Sequence, residues 1–325
     1  MPAVQDLRAA FPGVTIDWVV ESAFAPLVAR CDGVSGVIAC DLRRWRTSPL
    51  SGTTRRAWRA FKTTPQSAQY DAVIDLQGLT KSALVSWLSR TVPGGHRIGL
   101  ANQTDGSSFE APARWVADVA IEIEPHVHAV QRSRILCAAA MGYDLQGPAR
   151  FGLRPGGLAV PLPVPVQQGF VANPFVPKKP AVALVHGTSR ADKQWPVASW
   201  IELGHRLNHQ GFTVALAHGS PTEKAVSEAI AADLKDAWVW PSMGLDALTD
   251  TMARCAGVIG VDSGLSHIAV ALGLPHVQIY NFDTAWRTGP TDDALRQTSV
   301  FATPRPDVDA VWHAWESLAT PVLCR

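Results

Sequence analysis

Short β-branched runs alternating with segments of helical period organise most of this chain. The clearest unit is Val258-Ile259-Gly260-Val261, broken by Asp262-Ser263-Gly264 and followed by Leu265, Ile268, Ala269 and Leu272 at helical spacing up to Gly273 and Pro275. The pattern predicts a buried parallel strand, a polar turn and a helix. Such a turn aims backbone N–H groups and a helix N-terminus at whatever lies above the strand, which suits a phosphate. An ordinary βα turn with an Asp N-cap is the alternative these residues leave open.

The same alternation runs through the second half. It predicts strands at 182–186, 213–217, about 238–240 and 276–280, with helices at 199–210, 222–232, 245–255 and 308–318. In the first half a helical period through Val4, Leu7, Ala10 and Phe11 stops at Pro12-Gly13, and strands are predicted at 14–20, 34–39 and 72–76. The last strand runs into Gln77-Gly78-Leu79-Thr80-Lys81-Ser82 and a helix through Leu84, Val85 and Leu88. This second strand-to-helix turn also suits an anion, although its spacing is not that of a P-loop. Residues 94–118, rich in Gly, Ser and Asn, read as loop, and His126, His128, Arg132 and Arg134 open a helix reaching about Met141. Two histidines two residues apart do not share a helix face, which argues against a metal pair.

Prolines at 155, 161, 163, 165, 174, 177 and 180 mark the boundary between the halves. The reading is an N-terminal Rossmann-like domain over 1–160, a Pro/Gly-rich linker over 161–180 and a C-terminal Rossmann-like domain over 181–325. Together they make an α/β fold of two doubly wound parallel-sheet domains facing across a cleft. An α/β domain usually opens on a strand. This chain opens on a helix, so the first strand is expected upstream of Met1.

Composition narrows the class. The chain has 325 residues, 47% hydrophobic and 18% charged, with a formal net charge of +1. Those values suit a globular protein with two cores and argue against a general nucleic-acid binder. Five scattered cysteines without a C-x-x-C pair indicate neither a disulfide framework nor a zinc site, and point to a reducing cytosol. No apolar run approaches the length of a membrane span. Charge is uneven, however. Residues 42–70 hold Arg43, Arg44, Arg46, Arg55, Arg56, Arg59 and Lys62 without one acidic side chain, interleaved with Trp45, Trp58 and Phe61. The cluster suits phosphates, carboxylates or an anionic membrane surface; a solvated helix face is the plainer reading.

In doubly wound sheets ligands gather at the carboxyl ends of the strands. In the second half those ends carry His186-Gly187-Thr188-Ser189-Arg190, His218-Gly219-Ser220-Pro221, Met243 and Asp262-Ser263-Gly264, with Lys193 and Glu223 nearby. Hydroxyls, amides and a lysine fit a diphosphate, and a carboxylate fits a ribose diol. There is no G-x-G-x-x-G for a hydride-transfer cofactor and no metal-ligand spacing. His267 follows on the same helix start, where a buried, satisfied histidine is the alternative.

Asp192-Lys193-Gln194-Trp195-Pro196, His186-Gly187-Thr188-Ser189-Arg190 and Val261-Asp262-Ser263-Gly264-Leu265-Ser266-His267 together resemble bacterial ADP-heptose:lipopolysaccharide heptosyltransferases of glycosyltransferase family 9. Gln77–Ser82, Arg43-Arg44-Trp45-Arg46 and His128-Ala129-Val130-Gln131-Arg132 narrow the resemblance to the type I enzymes. It implies a GT-B fold, with the acceptor on the N-terminal domain and ADP-heptose on the C-terminal one. The implied reaction is an inverting transfer of heptose to Kdo of Kdo2-lipid A, without a metal, at the cytoplasmic face of the inner membrane. By position, Thr188, Ser189 and Lys193 would meet the diphosphate, Glu223 the ribose and Met243 the adenine. Asp262 would hold heptose hydroxyls, with Ser263, Gly264 and His267 around the phosphates. Lys193 would also stabilise the departing ADP. Arg43, Arg44, Arg46, Lys81, His128 and Arg132 would engage the acceptor, and the last helix would cross back onto the first domain. The family's general-base Asp sits in a loop after its first strand, and so is expected upstream of Met1. A type II heptosyltransferase is the alternative in the same class. A non-catalytic nucleotide-sugar-binding protein is the alternative outside it.

Overall fold

A computed structural model describes residues 1–47, 51–156, 179–291 and 296–319. The chain divides into two compact units, Met1–Gln167 and Gln168–Arg325. The expected linker at 161–180 lies outside the described residues apart from its last two.

The second unit follows its hydrophobic pattern closely. Its order is β6 (Ala181–Val185), α8 (Val197–His209), β7 (Thr213–Leu216), α9 (Pro221–Ala232), β8 (Ala237–Val239), α10 (Leu245–Met252), β9 (Gly257–Val261), α11 (Gly264–Ala271), β10 (His276–Tyr280), α12 (Ala285–Thr288), β11 (Gln297–Phe301) and α13 (Val308–Ala319), numbered on from the first unit. The strands form one parallel sheet in the order β11-β10-β9-β6-β7-β8. β6, β7, β9 and β10 are buried along their whole length, as strands covered on both faces must be. Trp200, Leu203 and Leu207 fall at i, i+3 and i+7 on α8 and are fully buried against Phe212, Val214 and Trp315. Each such aliphatic side chain contributes about 1.5–3 kcal/mol. The last helix, expected to cross onto the first domain, packs in the second. Val311 and Trp315 of α13 are in its core, and a Cβ on Gly257 would lie 2.5 Å from the Trp315 ring. β11 was not foreseen, because Gln297-Thr298-Ser299 lacks an apolar pattern; it gains its strand from pairing with β10.

The first unit comprises α1 (Pro2–Ala10), β1 (Asp17–Glu21), α2 (Ala25–Val28), β2 (Gly36–Cys40), α3 (Leu42–Thr47), α4 (Gly52–Ser67), β3 (Gln69–Asp75), α5 (Thr80–Leu88), β4 (Arg90–Leu100), α6 (Ala111–Val116), β5 (Val119–Ile121) and α7 (Ala129–Met141). Its strands form two parallel sheets, β1–β2 and β3–β4–β5. The Tyr70 hydroxyl at the start of β3 donates to Asp17 Oδ2 on β1 at 2.8 Å. α1 and α7 are joined by a buried ion pair in which Arg134 Nε donates to Asp6 Oδ2 at 2.7 Å and Nη2 to Oδ1 at 3.1 Å.

Residues 94–118 are only in part the expected loop: 101–110 form one, but 94–100 belong to β4 and 111–116 to α6. Gly94 takes a φ of +83°, and a Cβ on Gly95 would stand 2.8 Å from the Tyr70 carbonyl oxygen, so these turn-forming residues serve a register shift inside a strand. The basic segment becomes α3 and α4. Trp45, Trp58 and Phe61 turn inward on one another and on Val85 and Leu88 of α5, while Arg55, Arg56, Arg59 and Lys62 point to solvent.

Candidate donor site at the strand ends of the second unit

Asp262 leaves the end of β9 and is buried, at 7% exposure. A glycine is needed just before it: a Cβ on Gly260 would lie 2.5 Å from Ser266 Oγ and 2.8 Å from Val185 Cβ, so α11 seats tightly on the strand only without one. Four donors surround the carboxylate. Lys193 Nζ donates to Oδ2 at 2.5 Å, Gln278 Nε2 and Thr288 Oγ1 each lie 3.4 Å from Oδ1, and His267 Nε2 lies 3.5 Å from it. Burial pushes the Asp262 pKa up, but the hydrogen bonds from His267 and Lys193 outweigh it and hold the carboxyl below the usual range.

The lysine arrives on a single 3-10 turn, Ala191–Lys193, that is pinned from two sides. Asn281, itself buried, donates through Nδ2 to the carbonyls of Asp192 (2.9 Å) and Gln194 (3.0 Å). Trp195 Nε1 donates to the Pro306 carbonyl at 2.9 Å, and its ring meets Trp200 edge-on. Arg190 pairs with Asp192 on the outer side.

The remaining residues expected at the donor site follow the sheet. Thr188, past β6, donates to the Asp262 carbonyl at 3.4 Å, while Ser189 is exposed. Ser263 stands at the N-cap of α11; its Oγ is buried without a hydrogen-bond partner among the described residues, and Gly264 opens the helix. His267 is nearly half exposed, so the alternative of a buried, satisfied histidine does not describe it. Glu223, past β7, accepts from the Gly219 N–H at 2.6 Å and lies against Gly187, where a Cβ would come within 2.8 Å of its carboxylate. Met243, past β8, is half-buried and its Sδ accepts from Thr251 Oγ1. The residues therefore stand on consecutive strands β9, β6, β7 and β8, over about 14 Å at the usual strand spacing.

Several members of this site were not foreseen. Gln278 carried a signal, a polar side chain inside the apolar run His276–Tyr280, but Thr288 and Asn281 carried none. His186, named at the end of β6 but given no role there, has its Nε2 2.7 Å from Ser227 Oγ, and burial lowers its pKa against the opposing pull of Glu223.

In the first unit the second anion turn is occupied by the protein itself. Glu110 accepts from the Thr80 N–H at 2.7 Å and from the Thr80 hydroxyl, and Asp75 accepts from the N–H groups of Gln77 and Gly78 and from Ser82 Oγ. Those bonds use the N–H groups of Gln77, Gly78 and Thr80 and the hydroxyls of Thr80 and Ser82 that the sequence pattern offered to a ligand, and leave the Lys81 side chain out. Lys81, on the first turn of α5, is half-buried and Arg44 is exposed; the side chains of Arg43 and Arg46 lie outside the described residues. Arg132 is partly buried, with Nη1 donating to Thr104 Oγ1 at 3.2 Å and its Nε left without a partner. His128 caps α7, accepting from the Val130 N–H, and His126 pairs with Asp105. No group of three His, Cys, Asp or Glu suited to a metal occurs among the described residues.

Parallel Rossmann-like sheets with hydroxyl, lysine and carboxylate groups at the carboxyl ends of the second unit's strands suit a nucleotide ligand, and the fold is that of the GT-B heptosyltransferases the chain resembles among solved structures. Residues 58–312 match Glycosyltransferase family 9 (heptosyltransferase), and the chain belongs to that family. It is 33% identical over 296 residues to lipopolysaccharide heptosyltransferase 1 of Salmonella typhimurium strain LT2, covering 91% of this chain and 85% of that one. Among solved structures it is similar to the E. coli heptosyltransferase WaaC with ADP, at a TM-score of 0.78 and 31% identity, with 98% of this chain and 94% of that chain covered. The WaaC structure with ADP-2-deoxy-2-fluoro heptose gives a TM-score of 0.76 at 30% identity, covering 97% and 94%.

Proposed function

We propose that the protein transfers heptose from ADP-heptose to a Kdo sugar of Kdo2-lipid A, in synthesis of the lipopolysaccharide inner core. One observation carries the donor assignment: the groups suited to sugar, diphosphate, ribose and base follow one another along adjacent strands. Asp262 on β9 would hold heptose hydroxyls, with Ser263 and the α11 N-terminus on the phosphates. Thr188 and Ser189 past β6 would share those phosphates, Glu223 past β7 would take the ribose diol, and Met243 past β8 would lie by the adenine. The relatives solved with ADP and with an ADP-heptose analogue support that reading.

In the transfer an acceptor hydroxyl oxygen bonds to the heptose anomeric carbon as the bond to ADP breaks. The hydroxyl's proton passes to a base, and the electron pair departs with the phosphate. Negative charge grows on ADP, and Lys193 with the N–H groups of α11 would meet it electrostatically, a role a metal ion fills in other transferases. Lys193 then moves from serving Asp262 alone to bridging Asp262 and the diphosphate. Arg43, Arg44, Arg46, Lys81, His128 and Arg132 would hold the acceptor's carboxylates and phosphates. Such an acceptor places the enzyme at the cytoplasmic face of the inner membrane.

The test is calorimetric titration with ADP, together with mass spectrometry of Kdo2-lipid A incubated with ADP-heptose and the protein. Addition of one heptose, abolished by Asp262→Ala, is the expected result. ADP binding without transfer would favour a non-catalytic nucleotide-sugar-binding protein.

A further inference from the structure

We propose that the outer face of the α4–α5–α6 layer is a docking surface for an anionic lipid bilayer. The proposal rests on the reading above only in that it takes the acceptor to be a lipid. The three helices lie side by side, α4 against α5 through Trp58, Phe61, Val85 and Leu88, and α5 against α6. Their sequences contain Arg55, Arg56, Arg59, Lys62, Lys81 and Arg114 and not one Asp or Glu. Arg55, Arg59 and Lys62 fall at i, i+4 and i+7, a single exposed stripe along α4. Exposed Arg90 opens β4 two residues past the end of α5.

The same three helices also leave large apolar side chains in water. Leu84 and Trp87, at i and i+3 on α5, are exposed, Trp87 to 64%, and Trp115 on α6 is exposed to 79%. Trp200, Trp240 and Trp315 of the second unit are fully buried, so this protein has room for tryptophan in a core and does not put these two there. Tryptophan beside arginine and lysine is the chemistry of a bilayer interface, where the ring sits at headgroup level and the cations meet anionic phosphates. Two carboxylates border the layer: Glu110 bonds to Thr80 and interacts with Lys81, and Asp118 pairs with Arg97, so they offset part of the charge on α5 and β4 and not the stripe on α4. A second copy of the chain is the competing occupant, and it would press two such cationic faces together.

The test is flotation of the full chain with vesicles of phosphatidylethanolamine and phosphatidylglycerol, and with vesicles of phosphatidylcholine alone. The parent should float with the anionic vesicles, less so as salt rises. Replacing Arg55, Arg59 and Lys62 by Gln together should weaken partitioning about a hundredfold, and Trp87→Ala with Trp115→Ala about tenfold. Both variants should keep the parent's circular dichroism and its heptose transfer to a deacylated, water-soluble Kdo acceptor. Flotation unchanged in both variants overturns the proposal. A dimer seen by light scattering that the tryptophan variant breaks, with vesicle binding unaffected, overturns it in favour of a second copy. Transfer to the soluble acceptor by a parent that does not float removes the docking surface and leaves the transferase reading intact. Flotation lost in the variants, with no transfer by the parent, does the reverse.

Discussion

Replacing Lys193 by Ala removes the shortest of the four contacts on the Asp262 carboxylate, 2.5 Å against 3.4–3.5 Å for the others. Breaking a fully buried pair costs about 3–5 kcal/mol, because one charge is left in a poor solvent. Here Lys193 keeps one-fifth of its side chain in water and three weaker donors stay behind, so about 2 kcal/mol is the expected loss. For a unit of this size that lowers the midpoint of thermal unfolding by about 4–8 °C. Asp262→Asn removes the charge that Lys193 balances. The double variant should therefore recover much of the loss, with a coupling of about 1–2 kcal/mol.

The same substitution has a signature in pH. The folded pKa of Asp262 lies below its ordinary 3.8, so the contribution of the carboxylate is complete above that value and is lost as pH falls through the folded pKa. In Lys193→Ala, burial is opposed mainly by His267, the carboxyl titrates closer to its ordinary value, and the loss of stability in acid that Asp262 contributes becomes smaller. Calorimetric scans across pH read both effects, and ADP titration reads a third, a weakening of about tenfold. A coupling near zero would refute the pair as a stabilising contact. Unchanged ADP affinity would remove Lys193 from the phosphate site.

Three further outcomes follow from contacts elsewhere in the fold. Asn281→Asp replaces two donors with acceptors facing the Asp192 and Gln194 carbonyls; it should free the Lys193 turn and raise the KM for the donor about tenfold, while Asn281→Ala does so less. Arg134→Met strands the Asp6 carboxylate beneath α7 and should cost about 3–5 kcal/mol in urea unfolding, much of it regained when Asp6→Asn is added. His276 is fully buried and its pKa is pushed down to about 4 by burial, so the unfolded chain binds the extra proton first. Stability should be full above about pH 6.5 and fall by about 3 kcal/mol towards pH 4, a slope that His276→Gln removes in pH-resolved melts.

The fold of the second unit was legible because its strands are buried on both faces. Val182–Val185 and Val258–Val261 read as continuous apolar runs, and α8 shows its stripe through Trp200, Leu203 and Leu207. The first unit was harder for a physical reason. Gly94 and Gly95 signal a turn in any local reading, and only the close approach of the Tyr70 carbonyl shows why a strand needs them. Gln297–Phe301 lacks an apolar signature because it lies at the edge of the sheet, where pairing with β10 decides its conformation.

The site shows the same division between local and non-local causes. The placement of Thr188, Ser263, Gly264 and Glu223 was readable, because a strand end and a helix cap each demand particular residue types over a few positions, whereas the roles expected of them came from the family resemblance. The direct bond between Lys193 and Asp262 was not, since 69 residues separate them and only the β6–β9 pairing brings the two loops together. The clamp by Asn281 is less local still, because its two bonds go to backbone carbonyls, and any sequence would present those. The turn at Gln77–Ser82 is the converse case. Its glycine and lysine pattern was right for an anion, and an anion is there, but Glu110, some 30 positions on, supplies it. A strand-to-helix turn thus advertises a need for negative charge. Whether protein or ligand meets that need depends on which carboxylates the fold returns to the turn, and at Ser263 the fold returns none: its hydroxyl is buried without a hydrogen-bond partner among the described residues.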